Sequence, residues 1–213
     1  MNKTILAIET SSSICSVSLF KNGENIGILE NDADRKHAEV LPSYVVSLLE
    51  NNQLKIKNID AVAVSIGPGS FTGLRVGLSF AKGLAYAIKC PIIPVPTILA
   101  MAYSLRFKKP LNGIIRSHGE KIFFQEFIWD KKVPSVKDKP VLGNIHNYLD
   151  KVIGGFHFNC EEFLISAGNI YSAKPSAKDI AKLANIFFQK WHVPKPYDLT
   201  SEYMYPYVIK PND

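Results

Sequence analysis

The order of apolar runs and turn-forming residues predicts an α/β chain of two lobes, in which the second is a drifted and reduced copy of the first. Three observations carry this. A meander of three short strands opens the chain, and a second meander begins after Phe107-Lys108-Lys109-Pro110, where the helical periodicity breaks. Between the two, strands and helices alternate. Within that stretch the twelve residues Ile66-Gly67-Pro68-Gly69-Ser70-Phe71-Thr72-Gly73-Leu74-Arg75-Val76-Gly77 join an apolar run to a long amphipathic segment through a glycine-rich bend.

Thr4 to Glu9 is an apolar strand ending in the polar run Thr10-Ser11-Ser12-Ser13, and Ile14 to Phe20 alternates as a second strand should. Lys21-Asn22-Gly23-Glu24 makes the next turn, and Asn25 to Glu30 is a third antiparallel strand. From His37 to Asn51, the residues Val40, Leu41, Tyr44, Val45, Leu48 and Leu49 recur at three- and four-residue spacing, which predicts an amphipathic helix. Ala61 to Ile66 is a fourth strand, Ser70 to Ile88 a helix, Ile92 to Val95 a short strand and Ile98 to Leu105 a third helix. This β-β-β-α-β-α unit defines a first lobe, residues 1–106. The second, residues 107–213, opens with a hairpin of Asn112 to Ser117 and Lys121 to Trp129. Asp130 to Pro140, rich in Lys and Pro, reads as a loop, Asn144 to Val152 as a short helix and Glu162 to Ala167 as a strand. Ser176 caps a helix running to Trp191, with Ile180, Leu183, Ala184, Phe187 and Phe188 on one face, expected to pack back on the first lobe. The tail after Pro194 is turn-rich and aromatic.

In the glycine bend Ser70 is the natural N-cap, its hydroxyl accepting from an unpaired amide of the first turn. The loop then aims backbone N–H groups and the positive end of the helix dipole forward, a geometry suited to an anion. The same glycines equally serve a plain strand-to-helix connection that needs a bend and close packing. Gly73, Gly77, Ala81 and Ala85 form a small-residue stripe at four-residue spacing. It lets another backbone approach, either the lobe's own sheet or a helix of a partner. His37 and Glu39, two apart on a helix, point about 200° away from each other and do not form an acid–base pair.

Composition narrows the class. The 213 residues are 46% hydrophobic and 21% charged, with no apolar run long enough to span a bilayer and no cleavable leader, so a cytoplasmic protein is expected. Cys15, Cys90 and Cys160 are odd in number and far apart, which suggests neither a disulfide framework nor a zinc site. The net charge of +6 fits work near nucleic acid, although Lys and Arg are spread along the chain. The pairs Lys108-Lys109 and Lys131-Lys132 read as solvated loop residues.

A polar hairpin after the first strand, followed by this layout, is shared by actin-like and sugar-kinase ATPases, where the hairpin grips nucleotide phosphates. Four segments in order narrow the resemblance. They are Ile8-Glu9-Thr10-Ser11, the helix opening His37-Ala38-Glu39 with Pro42, the run Gly67 to Gly77, and Ala81-Lys82-Gly83-Leu84-Ala85. With them, residues 4 to 105 closely resemble the TsaB (YeaZ) family. Pro175-Ser176-Ala177 and Pro206-Tyr207-Val208 extend the likeness weakly. The resemblance implies an actin-like (ASKHA, ribonuclease H-like) duplicated fold with a reduced second lobe. It also implies a non-catalytic subunit that binds and activates TsaD, with TsaE joining through TsaD. TsaD transfers threonylcarbamoyl to the adenosine next to the anticodon in tRNAs reading A-starting codons. On this reading the chain binds no cofactor alone, ATP and a metal sit only on partner subunits, tRNA is met indirectly, and a homodimer forms when TsaD is absent.

The residues can be weighed against that expectation. TsaD-like proteins hold a metal with two histidines at i and i+4 on one helical face, and here Thr97 and Met101 fall at those places. No metal site and no catalytic residue are expected. Thr10, Ser11, Ser12, Gly67 and Gly69 read as a relic phosphate loop, since Glu9 stands where an Asp is usual and Ser166-Ala167-Gly168-Asn169 is a poor adenosine loop. The expected partner surface is Leu41, Tyr44, Val45, Leu48, Gly73, Leu74, Gly77, Leu78 and Ala81. Arg116-Ser117-His118-Gly119-Glu120-Lys121-Ile122-Phe123 departs from the family's run in the second-lobe hairpin, Glu120 alone being a candidate match. The competing reading is an autonomous actin-like superfamily enzyme, a small-molecule kinase or a metallopeptidase.

Overall fold

Apolar alternation sets the first sheet. The computed structural model describes residues 3–33, 35–164 and 169–199. Strands β1 (Thr4–Glu9), β2 (Ile14–Lys21) and β3 (Glu24–Asp32) pair antiparallel, while β4 (Ala61–Ser65) and β5 (Ile92–Val95) add in parallel, giving the order β3-β2-β1-β4-β5. On β1 and β4, Leu6, Ile8, Val62 and Val64 enter one core cluster, and Ile5, Ala7, Ala61 and Ala63 enter another. Period-2 alternation thus feeds two cores, because both faces of the sheet are covered. Helices α1 (His37–Asn51) and α2 (Phe71–Ile88) cover the first face, while α3 (Thr97–Ser104) and α4 (Ala177–Ile186) cover the second.

The second sheet runs β11-β10-β6-β7-β8, with β9 also paired to β7. Its strands are β6 (Asn112–His118), β7 (Lys121–Asp130), β8 (Val133–Val136), β9 (Val141–Asn144), β10 (Phe156–Phe158) and β11 (Tyr171–Ser172). Ile115, Phe127 and Phe156 join the same core cluster as Ile5, Ala7 and the α3 and α4 side chains, so one core connects the two sheets. Ile114, Ile122 and Phe124 build a smaller core on the other face. Helix α4 returns to the first lobe. Its first amide, from Ala177, donates to Ser16 Oγ on β2 at 3.0 Å, and Val193 bridges to Ile92 at the edge of β5. Two α/β units facing each other across a cleft, the second short of covering helices, make this a two-lobed actin-like fold.

The second lobe differs from its sequence reading in four places. The Lys- and Pro-rich stretch after Asp130 holds edge strand β8, where Pro134 is tolerated because an edge residue need not donate on both sides. The stretch from Asn144 to Val152 forms only a 3₁₀ turn, Ile145–Asn147, capped by Asn144 Oδ1 accepting from His146 N at 3.0 Å. The strand expected at Glu162 to Ala167 begins instead as a 3₁₀ turn, Glu161–Phe163, and its end lies outside the described residues. The last helix breaks at Phe187, whose ψ of 18° ends α4 before α5 (Phe188–Trp191). The Pro206-Tyr207-Val208 segment, most of the aromatic tail and the Ser166 to Gly168 part of the late glycine motif also lie outside the described residues. Among the described residues no helix is long and apolar enough to cross a membrane.

Candidate functional site

The two lobes enclose a cleft of about 1140 Å³. Its first-lobe wall is the β1–β2 turn Ser11 to Ser13, His37 at the start of α1, the glycine loop from Pro68 to Leu74, and Thr97. Its second-lobe wall is Ile115 to His118, Lys121, Phe123, Phe158 and Asn159.

The turn and the glycine loop are clasped together. Thr10 Oγ1 donates to the Gly73 carbonyl at 2.8 Å, and Ser70 N donates to the Ser11 carbonyl at 2.6 Å. Ser70 Oγ in turn accepts from Gly73 N at 3.2 Å, the N-cap that the sequence implies. A Cβ on Gly73 would sit on the Thr10 carbonyl oxygen, and one on Gly69 would sit on that of Ser11. The glycines therefore serve close backbone approach. Thr10, Ser11 and Ser12 are buried beneath this contact, and Gly67, at φ +107°, accepts from Thr97 N at 2.8 Å. Two of the amides available to an anion, those of Ser70 and Gly73, are already bonded within the chain.

Glu9 lies behind the Ser11 turn. It is fully buried, its Oε1 accepts from Ser11 N at 2.5 Å, and its Oε2 has no hydrogen-bond partner among the described residues. Burial pushes its carboxyl above the ordinary range, against the pull of Ser11 and Ser65 beside it. The opposite rim is basic. Arg35, Arg116, His118 and Lys121 line it, Arg116 being held by Glu162 at 2.8 Å and by the Gly119 carbonyl at 3.0 Å. Of these, Arg35 and the pair Phe158 and Asn159 had no motif to announce them, since only tertiary folding brings them to the cleft.

Known proteins share this fold. The profile of the family described as TsaD, tRNA N6-adenosine threonylcarbamoyltransferase, matches residues 9–122. The TsaB protein of Buchnera aphidicola is 30% identical over 164 residues, which span 72% of this chain and 71% of that one. The chain belongs to the TsaB family. The TsaB protein of Haemophilus influenzae is 35% identical over 133 residues, and the match spans 61% of this chain and 56% of the relative's length. A crystal structure from Pseudomonas aeruginosa, described as similar to the peptidase YeaZ, superposes with a TM-score of 0.83 at 20% identity, covering 95% of this chain and all of that one.

As a TsaB family member the chain can be tested for the metal implied by its TsaD-like kinship. Of the two residues expected at the ligand positions, Thr97 is buried and lines the cleft and Met101 is packed into the inter-sheet core. A hydroxyl and a core thioether are not a hard-metal donor set, and among the described residues no three His, Cys, Asp or Glu side chains converge. The residues present do not fit the ion.

The expected partner surface needs correction. Leu41, Val45 and Leu48 on α1, and Leu74, Leu78 and Ala81 on α2, are at most 8% exposed. All but Leu74 lie in the cluster that also holds Leu6, Ile8, Val62 and Val64. Gly73 and Gly77 abut Thr10. Both helices lie flat on the sheet, so their widest apolar arcs serve the lobe's own core and the small-residue stripe serves the turn beneath it. Of that set Tyr44 alone reaches the surface. The outward rim is formed instead by half-buried Val40, Val76, Phe80 and Leu84, with Val46 54% exposed and Tyr86 69% exposed.

Proposed function

We propose that this chain is a non-catalytic accessory subunit of tRNA threonylcarbamoyladenosine biosynthesis, binding TsaD and activating it, with TsaE joining through TsaD. The observation that carries the reading is the clasp of Thr10 and Ser11 on Gly69, Ser70 and Gly73 over a buried Glu9. That clasp uses up hydrogen-bonding groups that a nucleotide's phosphates would need, and the carboxyl beneath it, Glu9, is fully buried, with burial favouring its neutral form. ATP and a metal then belong to the partner subunits. Membership of the TsaB family supports the pathway, and the setting is cytoplasmic.

The partner face of this proposal is the outward rim of α1 and α2. Val76, Phe80 and Leu84 recur every four residues, beside Val40 and Tyr44 of the neighbouring helix. A second copy covers the same rim when TsaD is absent. Co-elution with TsaD, and reconstitution of tRNA modification with TsaD, TsaE and threonylcarbamoyl-adenylate, test the reading. Phe80→Asp should abolish both while leaving the circular dichroism spectrum unchanged. Full activation of TsaD by the folded variant, or turnover of ATP by this chain alone, would overturn it.

A further inference from the structure

Folding brings together two lysine pairs that lie far apart in the sequence. Lys108-Lys109 follow α3, and Lys131-Lys132 form the turn between β7 and β8. Trp129 Nε1 on β7 donates to the Pro110 carbonyl at 2.9 Å, which ties the two turns side by side. Phe107 stands between them, 69% exposed. Lys132 Nζ lies 4.5 Å from its ring centroid and the Arg106 guanidinium 5.0 Å. Arg106 also lies 4.8 Å from the Tyr103 ring, and Lys108 Nζ 5.9 Å from that of Tyr171. Cations and aromatic faces therefore alternate along one ridge.

The charge on this ridge is uncompensated. Among the described residues none of Arg106, Lys108, Lys109, Lys131 and Lys132 forms an ion pair, whereas Arg116, Lys137 and Lys174 elsewhere each have a carboxylate. The acids nearby are exposed Asp130, Glu126, which shares a groove with Lys109 but is paired with Lys137 at 3.5 Å, and, on α4, Asp179, whose field reaches Arg106 but is shared with Lys178 and Lys182. An acidic peptide would be met by the lysines alone and would give the exposed ring no role. A lipid surface would require insertion of apolar side chains, and Phe107 has two cations within 5.0 Å of its ring centroid. A phosphodiester chain carrying planar bases satisfies both features, with phosphates on the cations and a base on the ring.

We propose that the ridge of Arg106 to Lys109 with Lys131 and Lys132 binds an RNA strand directly, Phe107 stacking on a base and the lysines meeting phosphates. This goes beyond the accessory role, in which tRNA is reached through the partner. Helix α3 lies on the face of the first sheet opposite α1 and α2, so the RNA ridge and the proposed partner rim are separate and can be occupied together.

Fluorescence anisotropy of the full chain with a labelled oligouridylate tests it, with inorganic polyphosphate and phosphatidylserine vesicles as competing probes. Phe107→Ala should weaken oligouridylate binding about tenfold, the scale of one lost base stack, and leave polyphosphate binding unchanged. Lys108→Gln with Lys132→Gln should lower the slope of log affinity against log salt by about 1.4, at about 0.7 for each single-strand phosphate contact. All three side chains are exposed, so thermal melts of the variants should overlay the parent, and co-elution with TsaD should persist. RNA binding unaltered by these changes, an equal loss for polyphosphate in Phe107→Ala, or preference for vesicles over RNA would each overturn the assignment.

Discussion

The first and second lobes answer the same topological demand with different means. In the first, helices cover both faces of a five-stranded sheet, and the strands at its centre are buried throughout. In the second, six strands carry no full-length helix on their outer face among the described residues, and short turns with Tyr148, Leu149 and Phe163 cover the small core there. The difference shows where a fold can lose elements. A sheet stays ordered with one well-covered face provided that face is shared, and here α3 and α4 serve both lobes.

The largest expected effect tests that sharing. Phe156→Ala should cost about 3–5 kcal/mol, because the ring is fully buried, stacks on Phe127 at 5.8 Å and sits in the core connecting the sheets. Urea titration should show one transition by circular dichroism and by the fluorescence of Trp129 in a Trp191→Phe background. Two separated transitions would mean that the lobes stand independently.

A smaller effect sharpens the role of α4. Burial lifts Asp179 to about 6 against the pull of Lys182, Arg106 and Lys178, with Glu30 adding to the lift. Its native pKa exceeds the ordinary 3.8, so the native state binds more protons than the unfolded chain between those values. This contribution is fully present below pH 3.8 and is lost as pH rises through about 6. It amounts to at most about 3 kcal/mol. Asp179→Asn should remove that decline, read as a flatter profile of Tm against pH.

The glycines offer a contrast within one helix. Gly73→Ala should destabilise by about 1–3 kcal/mol, since its Cβ meets backbone that cannot swing aside. Gly83→Ala, with open space around it, should stabilise by about 0.5–1 kcal/mol through helix propensity. Equal effects in chemical denaturation would refute the clasp. Least of all, Glu162→Gln should shift stability by under about 1 kcal/mol, because its bond to Arg116 is exposed and screened.

The first lobe was legible because its signals are local. Val40 to Leu49 at helical spacing and Ser70 before Gly73 mark α1 and the cap of α2 without help from the rest of the molecule. The second lobe depends on distant partners. Strands β10 and β11 pair over two residues, Phe156 with Tyr171 and His157 with Ser172, and no periodicity can be read from so few positions. Nothing at Phe187 announces a helix break. In the cleft, the polar turn and the glycine loop were visible as sequence, but their mutual bonding was not, since Thr10 and Gly73 meet only through the fold. Nor does periodicity say how wide a helix face its own sheet will take: Leu41, Val45 and Leu48 have the spacing of a partner face and lie in the core.

The bond from Ala177 to Ser16 has a consequence for how the chain is made. Synthesis runs from the amino end, and domains begin to fold as they emerge. Strands β1 to β5 can pair once residue 95 is out, and α1 and α2 are then already present for one face. The other face, with Ile5, Ala7, Ala61 and Ala63, has no covering helix but α3 until residues 177–186 arrive. For the whole of the second lobe's translation this apolar surface waits partly bare. A ribosome stalled before Ala177 would hold a nascent chain with a built sheet and an open side, a substrate for holding chaperones that the finished protein is not.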